Sequence, residues 1–576
     1  MKKIIYMSGL VLAMSLALIA CSDQWNDHYE VKDSASGNGT IWEVISTDPE
    51  LSNFSDVIEQ CGYSSLLSSM QSFTLFAPTN SNFTPEMRDY IIAMYHAQEA
   101  TTRAGSSKEL RNEAVVKFIY NHLARYRYSV NEGTDTMVNM MNGKKLLLTD
   151  TSIDGCTFEK TNIKTANGVV YYTSEPLTFK PNIYEYITST SDKDSDLDSL
   201  YTFMTNPRFC FYEFDAKSSV PGDIVDGKTQ YLDSVTVLRN TLLDSWYGAE
   251  LNNEDSTYYL VAPTNTLWKE KLERYKKFFK YDYTDTDISQ DLRDSLEYCF
   301  PRLCIILGTA FSKTVNGDEA IKDSAVSTNA VSYKYRYMAY GSYDAKYYQY
   351  DKPYAEGGIF NGTTEKKCSN GTLLKANTLN AKDKERFMQT ITIPAASSSY
   401  LDSVYSASTS APAYYEVSPE SPFYNKLSFH SYVVISPKSG SQRQQFQYHG
   451  GAVLSGVNYK VYLLMAPAIS GDTLDTKNNK GTTFRVQIKY RNEGTQKETT
   501  LSPQENPKAT YVQIDQSKNP ITDVEKVFLG TYKFDYTSQG IDSRVRILFT
   551  NRSASTNIED KRMRISAIIF EPEEEE

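Results

Sequence analysis

The chain has 576 residues, more than one hydrophobic core accommodates, and a prior of roughly 150 residues per domain divides it into three or four units. Aromatic residues make up 13 % of it, 44 of them tyrosines, a composition of β-rich, surface-active domains. A net charge of −11 argues against nucleic acid as a partner, which needs basic patches, and otherwise speaks only to solubility.

Lys2 and Lys3 give a short positive start. Residues 4–20 are then almost wholly apolar, broken only by Tyr6, Ser8, Gly9 and Ser15. A run this short, followed at once by polar sequence, predicts a secretory signal rather than a spanning helix. It ends Leu18-Ile19-Ala20-Cys21, which resembles the lipobox of bacterial lipoproteins. The resemblance implies a signal peptide over 1–20 and diacylglycerol on Cys21, each buried methylene contributing about 0.8 kcal/mol to anchoring. An ordinary cleaved signal with a chance cysteine is the bland alternative. Residues 21–39 lack apolar periodicity and read as a flexible tether. Asp23 and Asp27 resemble the early acidic signals that send lipoproteins of the Bacteroides group to the outer face of the outer membrane.

An internal repeat is the most informative feature. Phe73-Thr74-Leu75-Phe76-Ala77-Pro78-Thr79-Asn80 returns as Tyr258-Tyr259-Leu260-Val261-Ala262-Pro263-Thr264-Asn265, followed by the aromatics Phe83 and Trp268. Each copy is an apolar strand stopped by proline, then Thr-Asn to cap a helix. Two copies at domain-sized spacing predict duplicated domains. The motif resembles the first signature of the fasciclin (FAS1) family. The rest of the first copy fits: helices around Trp42–Ile45 and Phe54–Ile58, a break at Gly62, and an amphipathic helix carried by Ala114, Val115, Phe118, Ile119, His122, Leu123 and Tyr126. A turn at Asn142-Gly143 and a closing strand from Asn167-Gly168 complete it. The resemblance implies one FAS1 domain over 40–182 and a second over 183–396.

The second copy is more diverged. Its helix is expected over 292–307, interrupted by Pro301, and its Asn-Gly strand at Asn370-Gly371. An insertion over 315–367 is crowded with tyrosine, and Tyr333, Tyr335, Tyr337, Tyr347, Tyr348 and Tyr350 are its candidate ligand- or partner-binding residues. Tyrosine offers a stiff contact face with a hydroxyl at the rim, suited to sugars, peptides or proteins. The alternative is that these rings cover the domain's own core.

Residues 397–411 are rich in Ser, Ala and Thr and read as a linker. Over 412–572 the helical period gives way to short runs alternating apolar and polar residues, around 431–435, 459–465, 484–490, 511–514, 526–529, 544–549 and 564–570. These predict an antiparallel β-sandwich, and the last run resembles the closing strand of galactose-binding-like jelly rolls. The fold class expected is α+β multidomain: two FAS1-like domains (β-wedge with helices), then the C-terminal sandwich.

Of the seven cysteines, six besides Cys21 remain, without a CxxC pair or a dense disulfide spacing. The five histidines are scattered, and His122, on an apolar face, reads as a core residue. Hydrolase, phosphate-loop and dinucleotide motifs are missing. The expectation is a non-enzyme without catalytic residues, metal or cofactor beyond the lipid on Cys21. The resemblances imply a surface lipoprotein that binds glycan or peptide beside a SusC/SusD-type outer-membrane transporter. An adhesin and a hydrolase carried by the sandwich are the alternatives.

Overall fold

The computed structural model describes residues 39–98, 112–214, 220–225, 227–233, 236–243, 247–313, 325–327, 349–492 and 497–573. The chain divides into two compact units, the first taking Met1–Lys180 with Tyr212–Val237 and the second Pro181–Phe211 with Leu238–Glu576.

In the first unit Thr40 caps helix α1 (Ile41–Thr47). Its hydroxyl accepts the Glu43 N–H and the Glu43 carboxylate accepts the Thr40 N–H at 2.7 Å, satisfying two donors that the helix itself leaves orphaned. Helix α2 (Ser52–Gln60) buries Phe54, Val57 and Ile58 on one stripe. Gly62 turns the chain at φ +80°. Strand β1 (Phe73–Pro78) is buried at every residue, as a run apolar but for Thr74 requires. Helix α3 (Pro85–Ala97) follows.

The amphipathic segment from Ala114 departs from expectation. It makes one wide turn over Val115–Ile119, closed by Tyr120 N–H to Val115 C=O, and then becomes strand β2 (Leu123–Arg125). Pairing decides this, because β2 satisfies one edge of β1 that a continued helix would leave open. Strands β3 (Asp135–Asn139), β4 (Lys145–Thr149), β5 (Ser152–Ile153), β6 (Cys156–Thr165) and β7 (Gly168–Thr173) complete a sheet ordered β2-β1-β7-β6-β5-β4-β3. Within it β1 and β7 run parallel, Phe73 opposite Gly168 through Pro78 opposite Thr173.

The second unit rebuilds the same corner. Asn182 caps helix α4 (Ile183–Thr188) in a capping box with Glu185, and helix α5 (Asp198–Met204) follows. Next come strand β8 (Tyr258–Pro263), helix α6 (Asn265–Tyr275), helix α7 (Gln290–Ile306), and strands β9 (Ala310–Ser312), β10 (Thr364–Cys368) and β11 (Gly371–Ala376). The sheet runs β9-β8-β11-β10. Strands β8 and β11 are parallel, Tyr258 opposite Gly371 through Pro263 opposite Ala376.

The equivalence reaches single side chains. Asn167 donates to the Leu67 and Ser69 carbonyls and accepts the Ile41 N–H; Asn370 donates to the Leu251 and Asn253 carbonyls and accepts the Ile183 N–H. Asn80 bridges the Pro49 carbonyl and the Asn53 N–H, as Asn265 bridges Ser195 and Ser199. A Cβ on Gly168 would lie 2.2 Å from the Phe73 carbonyl oxygen, and on Gly371 1.9 Å from that of Tyr258, so both positions demand glycine.

Helix α7 is continuous through buried Pro301, contrary to the expected interruption. Its C-terminal carbonyls are collected by the fully buried Arg386, which donates to Leu307, Ile305 and Cys304 and thereby holds an otherwise orphaned helix end.

The C-terminal region consists of two antiparallel six-stranded sheets. One holds strands β12 (Ile391–Pro394), β14 (Ala413–Glu416), β15 (Ser431–Ile435), β17 (Asn458–Met465), β21 (Glu525–Lys533) and β23 (Met563–Pro572). The other holds β13 (Leu401–Val404), β16 (Gln445–His449), β18 (Thr483–Asn492), β19 (Lys497–Leu501), β20 (Val512–Asp515) and β22 (Val545–Asn551). Their inner residues, among them Val433, Val461, Ile568, Phe446, Val486 and Phe549, share one apolar core. The stretch read as a linker is therefore corrected: β13 lies inside it and pairs with β16, and the Tyr400 carbonyl accepts the His449 N–H. Strand β12, expected within 183–396, pairs with β23, and Tyr448 donates its hydroxyl to the Ala395 carbonyl. Small and hydroxylated residues suit an edge strand as well as a linker, and composition does not distinguish them.

Candidate functional site

The same core continues into the helical part of this unit, which is seated on the sandwich by specific bonds. Asp285 and Arg544 form an ion pair at 2.8 Å with side chains 1 % and 6 % exposed. The Tyr281 hydroxyl donates to Gln539 C=O at 2.7 Å, and Ser455 donates to Lys277 C=O at 2.6 Å. Arg293, from α7, donates to the Asp285 and Ile288 carbonyls. These bonds fix the loop before α7 at one place on the sandwich surface.

Beside this seam lies a cleft of about 280 Å³, lined by Asp282, Thr284, Tyr490, Lys497, Thr499, Leu501, Phe534, Asp535 and Tyr536. Its parts come from three places in the chain. The loop before α7 brings Asp282, whose carboxylate accepts the Thr284 N–H at 2.9 Å and hydroxyl at 2.7 Å, an Asx turn that fixes its aim. Strands β18 and β19 bring Tyr490, Lys497, Thr499 and Leu501, and the segment after β21 brings Phe534, Asp535 and Tyr536. Phe534 is buried, while Tyr490 and Tyr536 are half-buried with centroids 6.2 Å apart and planes at 39°. Lys280 places its ammonium 5.2 Å from the Tyr536 centroid, outside the lining. Burial, reinforced by the Asp282 carboxylate, pushes the Tyr490 phenol above its ordinary range, so it keeps its proton. Chemically the cleft offers two aromatic walls, carboxylate acceptors on separate sequence elements and the Lys497 ammonium as a donor.

The binding residues expected from sequence lie elsewhere. Cys21, Tyr333, Tyr335, Tyr337, Tyr347 and Tyr348 are outside the described residues. Tyr350 is described and buried, its ring edge-on to Phe311 at 5.9 Å, and burial pushes its phenol up to about 12. Its ring packs into the core of its own domain, the alternative stated for these tyrosines. Sequence reasoning passed over Tyr490 and Tyr536 because each ends or follows a strand-like run. Neither has a local partner that marks it; Asp282 is more than 200 residues away along the chain.

His122, in the bend between the wide turn and β2, is fully buried, the core place expected of it. Leu177 N–H donates to Nε2 at 2.9 Å, so Nδ1 carries the proton and donates to Phe118 C=O at 2.8 Å. Burial lowers its pKa to about 4. Among the described residues, no three His, Cys, Asp or Glu side chains converge on a metal geometry, and no helix is long and apolar enough to cross a membrane. Among the described residues, Cys61, Cys156, Cys210, Cys299 and Cys304 are free thiols.

A mixed α/β multidomain protein with a surface cleft is the class this architecture defines. Residues 49–179 match the Fasciclin domain family, so the first unit carries a FAS1 domain. No curated protein matches the chain. Among solved structures, a FAS1 domain pair from the insect cell adhesion molecule Fasciclin I aligns at 9 % identity over 60 % of this chain and 97 % of that one, with a TM-score of 0.17. A cyclase from Fischerella sp. TAU aligns at 14 % identity over 32 % of this chain and 100 % of that one, with a TM-score of 0.20. The CBM22-1–GH10 modules of Clostridium thermocellum xylanase 10B, complexed with xylohexaose, align at 13 % identity over 29 % of this chain, with a TM-score of 0.18. That alignment spans 26 % of the xylanase chain, about a quarter of its length. At these TM-scores none of the three bears on fold or function.

Proposed function

We propose that this chain is a cell-surface lipoprotein, anchored through Cys21 to the outer membrane and facing outward, that captures glycan or peptide without catalysing a reaction. In this reading 183–396 is a second FAS1 domain and 412–572 a galactose-binding-like jelly roll. The capture role serves a SusC/SusD-type transporter, with which the chain associates. The FAS1 domain over 49–179 carries the reading, since such a domain is consistent with a surface or adhesion-type protein. The matching corners at Pro78 and Pro263 support the duplication. Leu18-Ile19-Ala20-Cys21 supports the anchor.

Membrane fractionation tests the anchor. The wild-type chain is expected with the outer membrane and Cys21→Ala in the soluble fraction; retention of the variant on lipid overturns the assignment. Mild detergent extraction tests the partner, and co-purification with transporter subunits is the expected outcome. Recovery alone, with binding to whole cells or matrix, favours an adhesin, the second reading that a FAS1 domain supports.

A further inference from the structure

We propose that the cleft at Asp282, Tyr490 and Tyr536 is a composite binding site for one neutral pyranose ring, a terminal or branch sugar of the captured glycan. This assignment rests on the glycan-capture reading above. Four features of the cleft carry it.

Size comes first. At about 280 Å³ the cleft falls at the small end of ligand pockets, which run roughly 300–1,000 Å³, and so fits a single ring better than a peptide or an oligosaccharide lying lengthwise. The walls come second. Tyr490 and Tyr536, tilted 39° to one another, give two aromatic surfaces beside Phe534 in the lining, against which the C–H face of a sugar packs. Third, Asp282 and Asp535 put carboxylate oxygens at the same cleft, and carboxylates are strong acceptors for vicinal hydroxyls. Thr499 and Lys497 add donors at the rim.

Charge decides between ligand classes. Asp282 and Asp535 are offset by Lys497 in the lining and by Lys280 against Tyr536. Asp285 is neutralised by Arg544. A cationic ligand would have to share Tyr536 with the Lys280 ammonium, and an anionic one would meet two carboxylates. A neutral polyhydroxylated ring meets neither cost. Because Asp282 and Thr284 come from the helical segment and the aromatic walls from the sandwich, neither part alone forms the site.

The full chain, titrated calorimetrically with glucose, galactose, mannose, fucose and N-acetylglucosamine, tests this. Binding of at least one sugar is expected, weakened tenfold or more in both Tyr536→Ala and Asp535→Asn with an unchanged melting temperature. Sugar binding that survives both substitutions overturns the cleft assignment but leaves glycan capture standing. Polysaccharide retention on affinity gels without monosaccharide binding also overturns the single-ring site alone. Failure to bind both monosaccharides and polysaccharides overturns the glycan reading itself. Binding of a tetramethylammonium probe in preference to every sugar would reassign the cleft to cations.

Discussion

His122 shows what burial does to a titratable group when its bonds are complete. Both ring nitrogens are engaged in the neutral form, so an added proton must displace the Leu177 N–H bond inside an apolar core. The folded pKa is lowered to about 4, against an unfolded value near 6.5. Between those values the unfolded chain binds more proton. This contribution is therefore fully present above pH 6.5 and is lost as pH falls toward 4, by roughly 3 kcal/mol in total. Urea unfolding of the first unit at pH 7.5 and 4.5 should show the loss, and His122→Gln should start less stable and show a flatter slope. An equally steep acid loss in that variant would place its origin in carboxylates instead. The core role of His122 was legible from the apolar residues spaced around it, although no helix extends to it. Its second partner, Leu177, was not, because it arrives from beyond the end of the closing strand.

At the scale of elements, the repeated corner is held by one asparagine in each copy. Asn167 and Asn370 each tie the start of a strand to the N-terminus of the opening helix and to two loop carbonyls, all largely buried. Removing either side chain leaves buried carbonyls and an N–H without partners, so Asn167→Ala and Asn370→Ala should each cost about 3 kcal/mol. Differential scanning calorimetry should show the two substitutions acting on different transitions, one per compact unit. A negligible effect of Asn370→Ala would break the equivalence of the corners. Much of this element was readable: Ala-Pro-Thr-Asn and Asn-Gly are turn chemistry written locally. The short strand Leu123–Arg125 was not, since its apolar positions also satisfy a helical period and only the open edge of β1 selects a strand.

At the scale of the whole molecule, the helical part of the second unit and the sandwich behave as one body because they share a core and a buried ion pair. Losing one partner of a buried pair strands the other charge, at a cost of about 3–5 kcal/mol. Arg544→Met should therefore lower the melting temperature of the second unit, and Asp285→Asn combined with it should recover part of the loss. Full additivity of the two substitutions would show that the pair is not coupled. The same seam aligns Asp282 with Tyr490 and Tyr536, so damage to it should weaken sugar binding without touching a cleft residue.

What the sequence determined by itself was whatever depends on near neighbours. Hydrophobic period, Pro and Gly punctuation and cap residues specified the strands β1, β8, β7 and β11, most strands of the sandwich, and the corner used twice. What only the tertiary structure decided was whatever depends on distant partners. The edge strand β13 in a supposed linker, the pairing of β12 with β23, the fate of Tyr350 in a core, and the meeting of Asp282 with Tyr490 and Tyr536 are of this kind. A strand edge needs a partner and a cleft needs two walls. Local patterns record the preference of each residue, while packing across 200 residues of chain decides which preferences are satisfied together.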